Sequence, residues 1–241
     1  MTYQSENPRL FDGDRTGRLP PPGLKSLLFT LNLQMDWILD NIKSCTSGYP
    51  PIIYASGETE LERLTLALED RYYLSHSGID WRAIPRVVRQ ILSFKRIGGV
   101  STIEQQLVRT VLERRERTLK RKSRELLLAW ILSHRMSKRD MLRAYLSMAY
   151  FGYRLRGCDE VANYLFSLDA PELNREQAAF VASLLVYPMP SKVSQTGIAF
   201  GLYPIQNLDG FLSAVTPQSP KWAERVRRRM SYGLAIVRNA K

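Results

Sequence analysis

The chain has 241 residues, 44% of them hydrophobic, which is enough for one substantial core or two small lobes. Its two cysteines, Cys45 and Cys158, exclude a disulfide framework, and no C-x-x-C pair suggests zinc. The net charge of +12 is concentrated: residues 81–156 hold 19 Lys/Arg against 5 Asp/Glu, a field that attracts nucleic acid, anionic lipid or a phosphorylated substrate.

Residues 1–23, rich in Pro and Gly and poor in apolar residues, read as a disordered arm. No charged start followed by an apolar run opens the chain as an export signal would, and no stretch reaches the roughly 18 apolar residues of a membrane span. Residues 24–39 come nearest but are interrupted by Asn32, Gln34 and Asp36. They fit either an ordinary amphipathic surface helix or a segment lying in a membrane interface.

From there the pattern is helical almost throughout. Leu61, Leu64, Leu68 and Tyr72 share one face of a helix over 58–75. Asp80 is a plausible cap for the next helix, with Ile84, Val87, Val88, Ile91 and Leu92 as its apolar face and Pro85 as a kink or true start. Ser101 and Glu104 have the spacing of a capping box. A helix over 118–134 turns Leu119, Leu126, Leu127 and Trp130 inward. Ser137 caps another, with Met141, Leu142, Tyr145, Leu146 and Met148 inside. Residues 175–186 form an apolar helix ending before Pro188, and a basic amphipathic helix carrying Arg225 and Arg227–Arg229 runs from about 220. The only strand candidate is 49–56.

Three segments carry chemistry. In 69–80 an acidic pair, Glu69 and Asp70, ends a helix and is followed by aromatics, His76, Gly78 and Asp80. In 98–110, Gly98 and Gly99 allow close backbone approach to a ligand. Ser101 and Thr102 follow at a helix N-terminus, where free N–H groups favour anions, and then Gln105, Gln106 and Arg109. In 117–125, Arg117, Arg121 and Glu125 recur every four residues on one helix face, with Lys122 three before Glu125. Each segment also has a plain structural reading: a solvated helix end, a capped loop, and a charged stripe.

In this order the segments resemble glycosyltransferase family 51, the peptidoglycan transglycosylases. Residues 69–80 follow its E-D-x-x-F-x-x-H-x-G-x-D pattern with Tyr73 for Phe, residues 99–110 its G-G/A-S-T-I-T-Q-Q-L-x-K-N, and Arg121, Lys122 and Glu125 its R-K-x-x-E. Residues 137–152 are similar to S-K-x-x-I-L-E-x-Y-L-N-x-x-Y-F-G, and the likeness covers about 60–190. It implies an all-α fold, with a lysozyme-like helical large lobe and a smaller jaw lobe. The matching boundaries are 1–23 for the arm, 24–57 for an amphipathic segment and linker, 58–195 for the family domain, and 196–241 for a loop and basic helix packed on it.

The resemblance implies lipid II as substrate, with Glu69 as general base on the acceptor 4-hydroxyl and undecaprenyl pyrophosphate leaving. Glu125 is the second catalytic carboxylate, near the diphosphate, with a divalent cation (Mg or Mn). Asp70, His76, Ser101, Thr102, Gln105, Gln106, Arg109, Arg117, Arg121 and Lys122 fall among the substrate- and diphosphate-binding residues. The implied partners are lipid II, the growing glycan strand, an anionic membrane surface and other cell-wall synthesis proteins, not nucleic acid. The implied location is the bacterial envelope, peripheral on the outer face of the cytoplasmic membrane. The chemistry is coherent, since a positioned carboxylate can take the proton of a sugar hydroxyl while fixed cations receive the charge of the leaving diphosphate.

The chain departs from the pattern at Val100, Glu104 (usually Thr), Arg109 (Lys), Thr110 (Asn), Arg143 (Glu), Ser147 (Asn), and Ser167 and Leu168 for a Gly–Lys pair. Three other readings stay open: a catalytically weak homologue that binds lipid II or glycan as a scaffold or regulator, a basic helical nucleic-acid binder, and a lysozyme-like hydrolase.

Overall fold

A computed structural model describes residues 24–47, 58–83, 85, 89, 93, 101–113 and 118–239. Ten α-helices occur among them: α1 (Leu24–Ser47), α2 (Glu60–Glu69), α3 (Ile103–Leu112), α4 (Leu119–Arg135), α5 (Lys138–Met148), α6 (Cys158–Phe166), α7 (Arg175–Leu184), α8 (Ser191–Ala199), α9 (Leu208–Val215) and α10 (Pro220–Asn239). The fold is all-α. The arm at 1–23, the strand candidate at 49–56, most of the helix expected after Asp80, and Gly98–Val100 lie outside the described residues.

The core is built around α3, which packs on α5 and α4, while α1 lies across α3, α4 and α5. Met35, Ile38, Leu107, Val108, Leu128, Leu132 and Met141 meet there with essentially no exposure. A second layer joins α2, α7 and α10, with Leu61, Leu64, Phe180, Val226 and Trp222 inside. Capping sets the starts of several helices. Thr59 and Glu62 form a capping box on α2, Asn174 and Gln177 another on α7, and Ser137 accepts from Asp140 N at the start of α5. No described helix is long and apolar enough to cross a membrane.

Four expectations need correction. The helix expected over 58–75 stops at Glu69, because Asp70 leaves the helical region (φ −156°, ψ 81°) and turns its carboxylate to His76 and to Ile103 N. Tyr72 is then exposed, and Tyr73 is buried in its place, its hydroxyl donating to Lys138 O at 2.7 Å. In α4 the inner face is Glu125, Leu128, Ala129 and Leu132, while Leu127 and Trp130 point outward. The apolar run 126–132 covers nearly every direction of the helix, so periodicity alone does not select a face; contact with α3 does. The cap of α3 is Thr102, whose side chain accepts from Gln105 N, not the Ser101–Glu104 box. Finally, β1 (Tyr150–Gly152) and β2 (Leu155–Arg156) form a small antiparallel hairpin with strands too short to show alternation.

The face of α4 can be tested by unfolding. Leu132→Ala should cost about 2–5 kcal/mol in denaturant titrations, whereas Trp130→Ala should cost less than about 1 kcal/mol. The opposite ranking contradicts the register described above.

Candidate active site

The end of α2, the start of α3 and the first turns of α4 converge on one place. Glu69, the last residue of α2, lines a cleft of about 460 Å³ with Asp70, Arg71, Tyr72, Asp80, Arg82, Ser101, Thr102 and Tyr232. Its side chain is only 9% exposed. One carboxylate oxygen is paired with Arg229 of α10, and the other accepts from Gln106 Nε2 at 3.2 Å. Gln106 is oriented in turn by Tyr145, whose hydroxyl donates to its Oε1 at 2.7 Å. Burial, reinforced by the nearby Glu69 charge, pushes the Tyr145 hydroxyl far above its ordinary range, so it stays protonated and acts as a donor.

Glu125 is more deeply buried, its side chain 3% exposed. Arg121 donates to one of its oxygens and Lys122 to the other, both at 2.7 Å. Residues four and three apart face one another on a helix, so the R-K-x-x-E spacing brings both cations onto the acid. Lys122 Nζ also reaches Gln105 Oε1 at 2.7 Å and Ser101 Oγ at 3.2 Å. Gln106 Nε2 touches Ser101 O at 3.4 Å. A continuous polar path therefore runs Glu69–Gln106–Ser101–Lys122–Glu125.

The other expected site residues divide into groups. Arg109 is exposed and lines a small crevice with Arg121, Arg124 and Glu125. Arg117 lies outside the described residues. Asp70 and Thr102 reach the cleft wall, but their polar atoms face the scaffold: Asp70 holds His76 Nε2 and Ile103 N, and Thr102 donates to Gly78 O at 2.9 Å. The His76 side chain, 5% exposed, is turned inward between Asp70 and Glu104. These three residues position the site in this structure and do not present free groups to a ligand. Gly78 is the hinge of the arrangement. Its φ is +79°, and a Cβ there would lie 2.5 Å from Ala129 O, so only glycine allows the loop to rest on α4 while its carbonyl accepts from Thr102 and Gln105.

The departures at Glu104 and Arg143 have local partners. Glu104, fully buried, pairs with Lys138, whose ammonium also lies over the Tyr73 ring at 4.2 Å. With the cap at Thr102, Glu104 is free of the cap and its carboxylate turns to Lys138. Arg143 reaches Glu62 at 3.4 Å. Ser167 adopts the left-handed conformation at the end of α6 (φ 56°) in place of the more permissive glycine.

The setting of Glu125 is a poor one for a divalent cation: each of its oxygens already accepts from a cation, so the carboxylate carries no unbalanced charge. Among the described residues Asp70, His76 and Glu104 do bring three ligand-type atoms within 4.8 Å of one another, but Lys138 already neutralises Glu104 there.

Sequence reading missed Arg229, Tyr145, Lys138 and Tyr232. Tyr145 and Lys138 appeared only as a core position and as part of a helix start. Arg229 lay in a basic run where nothing marks one arginine from the next.

Comparison with known proteins agrees with the geometry. The family model described as Transglycosylase matches residues 52–198. Relatives named biosynthetic peptidoglycan transglycosylase include one from Alcanivorax borkumensis, 36% identical over 129 residues and covering 53% of each chain. Another, from Acinetobacter baylyi, is 30% identical over 160 residues, covering 66% of this chain and 70% of that one. A third, from Bordetella avium, is 32% identical over 146 residues, covering 58% and 61%. The chain thus spans about half the length of the first relative.

The Glu104–Lys138 pair yields a stability prediction. Lys138→Met leaves a buried carboxylate unpaired and should cost about 3–5 kcal/mol in denaturant unfolding. Adding Glu104→Gln to it should recover most of that loss. A double variant as unstable as the single one contradicts the pairing.

Proposed function

The chain belongs to the transglycosylase family, and from that premise we propose that it is a peptidoglycan glycosyltransferase that polymerises lipid II into glycan strands. Glu69 is the general base and undecaprenyl pyrophosphate the leaving group. The observation that carries this reading is the polar path joining Glu69 to Glu125 through Gln106, Ser101 and Lys122. Glu69 lines the larger cleft with Ser101, while Arg109, Arg121 and Glu125 line a separate small crevice, and the path links the carboxylate of the one to the cations of the other.

In this reading the acceptor 4-hydroxyl attacks the anomeric carbon of the donor. Its proton passes to Glu69 as the new C–O bond forms, and the electron pair of the breaking bond leaves on the diphosphate. Arg121, Lys122 and Arg109 meet that developing charge. Arg121 and Lys122 are already fixed by Glu125 and Gln105, so little reorganisation of these two accompanies the step. Glu125 acts as the counter-charge that holds two cations in place, and the mechanism routes no step through a metal. The base lies in a mostly buried setting, which keeps water from competing for it.

The cationic cluster disfavours the hydrolase reading, because glycan hydrolysis releases no diphosphate. The departures at Glu104 and Arg143 pair with Lys138 and Glu62, not with Glu69 or Glu125, which favours an active enzyme over a scaffold. Leu74 and Trp81, 78% and 67% exposed, belong to the stretch between Glu69 and Arg82 that borders the cleft. They suit peripheral contact with the membrane that holds the lipid substrate.

The test is polymerisation of lipid II in detergent or vesicles. Wild type should give glycan chains, and Glu69→Gln should slow turnover by at least about 10²-fold with substrate still bound. Lys122→Ala should slow it by about 10²-fold through the leaving group. No product from folded, lipid II-bound wild type would overturn the enzymatic reading in favour of the scaffold.

A further inference from the structure

The cation paired with Glu69 lies outside the segment that the family model matches. Arg229 is carried by α10, beyond residue 198. Its Nη2 pairs with Glu69 Oε1 and donates to Leu68 O at 3.2 Å, so a single guanidinium holds both the last carbonyls of α2 and its terminal side chain. The contact is sheltered, with Arg229 17% and Glu69 9% exposed. The helix comes this close because of Gly233, one turn on, where a Cβ would stand 3.1 Å from the Leu68 side chain. The other oxygen of Glu69 faces Gln106, itself fixed by Tyr145.

Resting on the reading of Glu69 as base, we propose that Arg229 is a positioning residue of the transfer: it anchors Oε1 and so presents Oε2, on the Gln106 side, to the acceptor hydroxyl. Arg229 keeps its proton throughout. The acceptor proton moves to Oε2 as the acceptor oxygen bonds to the anomeric carbon, and the bond to the diphosphate breaks with its electron pair. Glu69 later releases the proton to solvent. The same Nη2 bonds one carboxylate oxygen and the Leu68 carbonyl, which ties the side chain of Glu69 to the end of its own helix. A misplacement of about 1 Å in a reacting group costs about 10²-fold in rate.

A helix-end clamp alone would stabilise the fold without acting through Glu69, and a double-variant cycle separates the two. Steady-state and single-turnover polymerisation of lipid II are measured for wild type, Arg229→Ala, Glu69→Gln and the double variant, with thermal melting of each. The expected result is a fall in kcat of about 10²-fold for Arg229→Ala with KM within about threefold. Arg229→Lys should recover part of the rate, and the double variant should be no slower than Glu69→Gln alone, as for residues that act as a unit. If Arg229→Ala does not fold, Arg229→Lys takes its place in the cycle. Where wild type is active and Glu69→Gln is not, a kcat retained within about twofold, or losses that multiply in the double variant, overturn the role of Arg229 and leave Glu69 as base. Equal rates for wild type and Glu69→Gln overturn both.

Discussion

Withdrawing a carboxylate from water requires a compensating charge or hydrogen bonds, and the two acids linked by the polar path, Glu69 and Glu125, each have both. Glu125 is held by Arg121 and Lys122 from its own helix, Glu69 by Arg229 and Gln106 from two other helices. Everything near the cleft follows from satisfying those two acids. The short segment 101–106 bridges them, giving Ser101 and Gln105 to Lys122 and Gln106 to Glu69. That segment is anchored through Thr102 and Gln105 to Gly78 O, and through Ile103 N to Asp70. Asp70 is the residue that ends α2 immediately after Glu69. The backbone that positions Glu69 and the segment that meets Lys122 are thus one hydrogen-bonded unit.

The same logic explains why the chain accommodates residues unusual for its family. A glutamate at 104 in a fully buried position would be costly by itself. Lys138 at the start of α5 meets it, and Tyr73 covers the ammonium. An arginine at 143 is met by Glu62, which also serves the capping box of α2. Each of the two has an oppositely charged partner within the scaffold, and neither of those partners is a cation of Glu69 or Glu125. It also bears on metal chemistry: a carboxylate already neutralised by two cations is a poor ligand for a divalent ion, and Arg121 and Lys122 supply the charge such an ion would bring.

The C-terminal helix has a larger part than its basic amphipathic pattern suggests. Its buried face, including Trp222, Val226 and Gly233, packs on α7 and α2, and that packing delivers Arg229 to Glu69. Tyr232 stands on the adjoining face, where Arg71 donates to its hydroxyl at 2.6 Å across the cleft wall. Core packing and site assembly are therefore the same event for α10.

The sequence alone determined that the chain is helical and that Arg121, Lys122 and Glu125 share a face. Those properties follow from spacings of three and four along one helix and from local breakers, which are legible without a partner. The motif resemblance to the transglycosylases rested on the same local strings. Tertiary structure decided what required a neighbour. It chose the face of α4 from an apolar run with no clear seam, turned Asp70, His76 and Thr102 into the scaffold, moved the cap of α3 to Thr102, and selected Arg229 from a run of arginines. A contact between residues 160 positions apart leaves no periodic mark in the chain, because it depends on where whole helices come to rest.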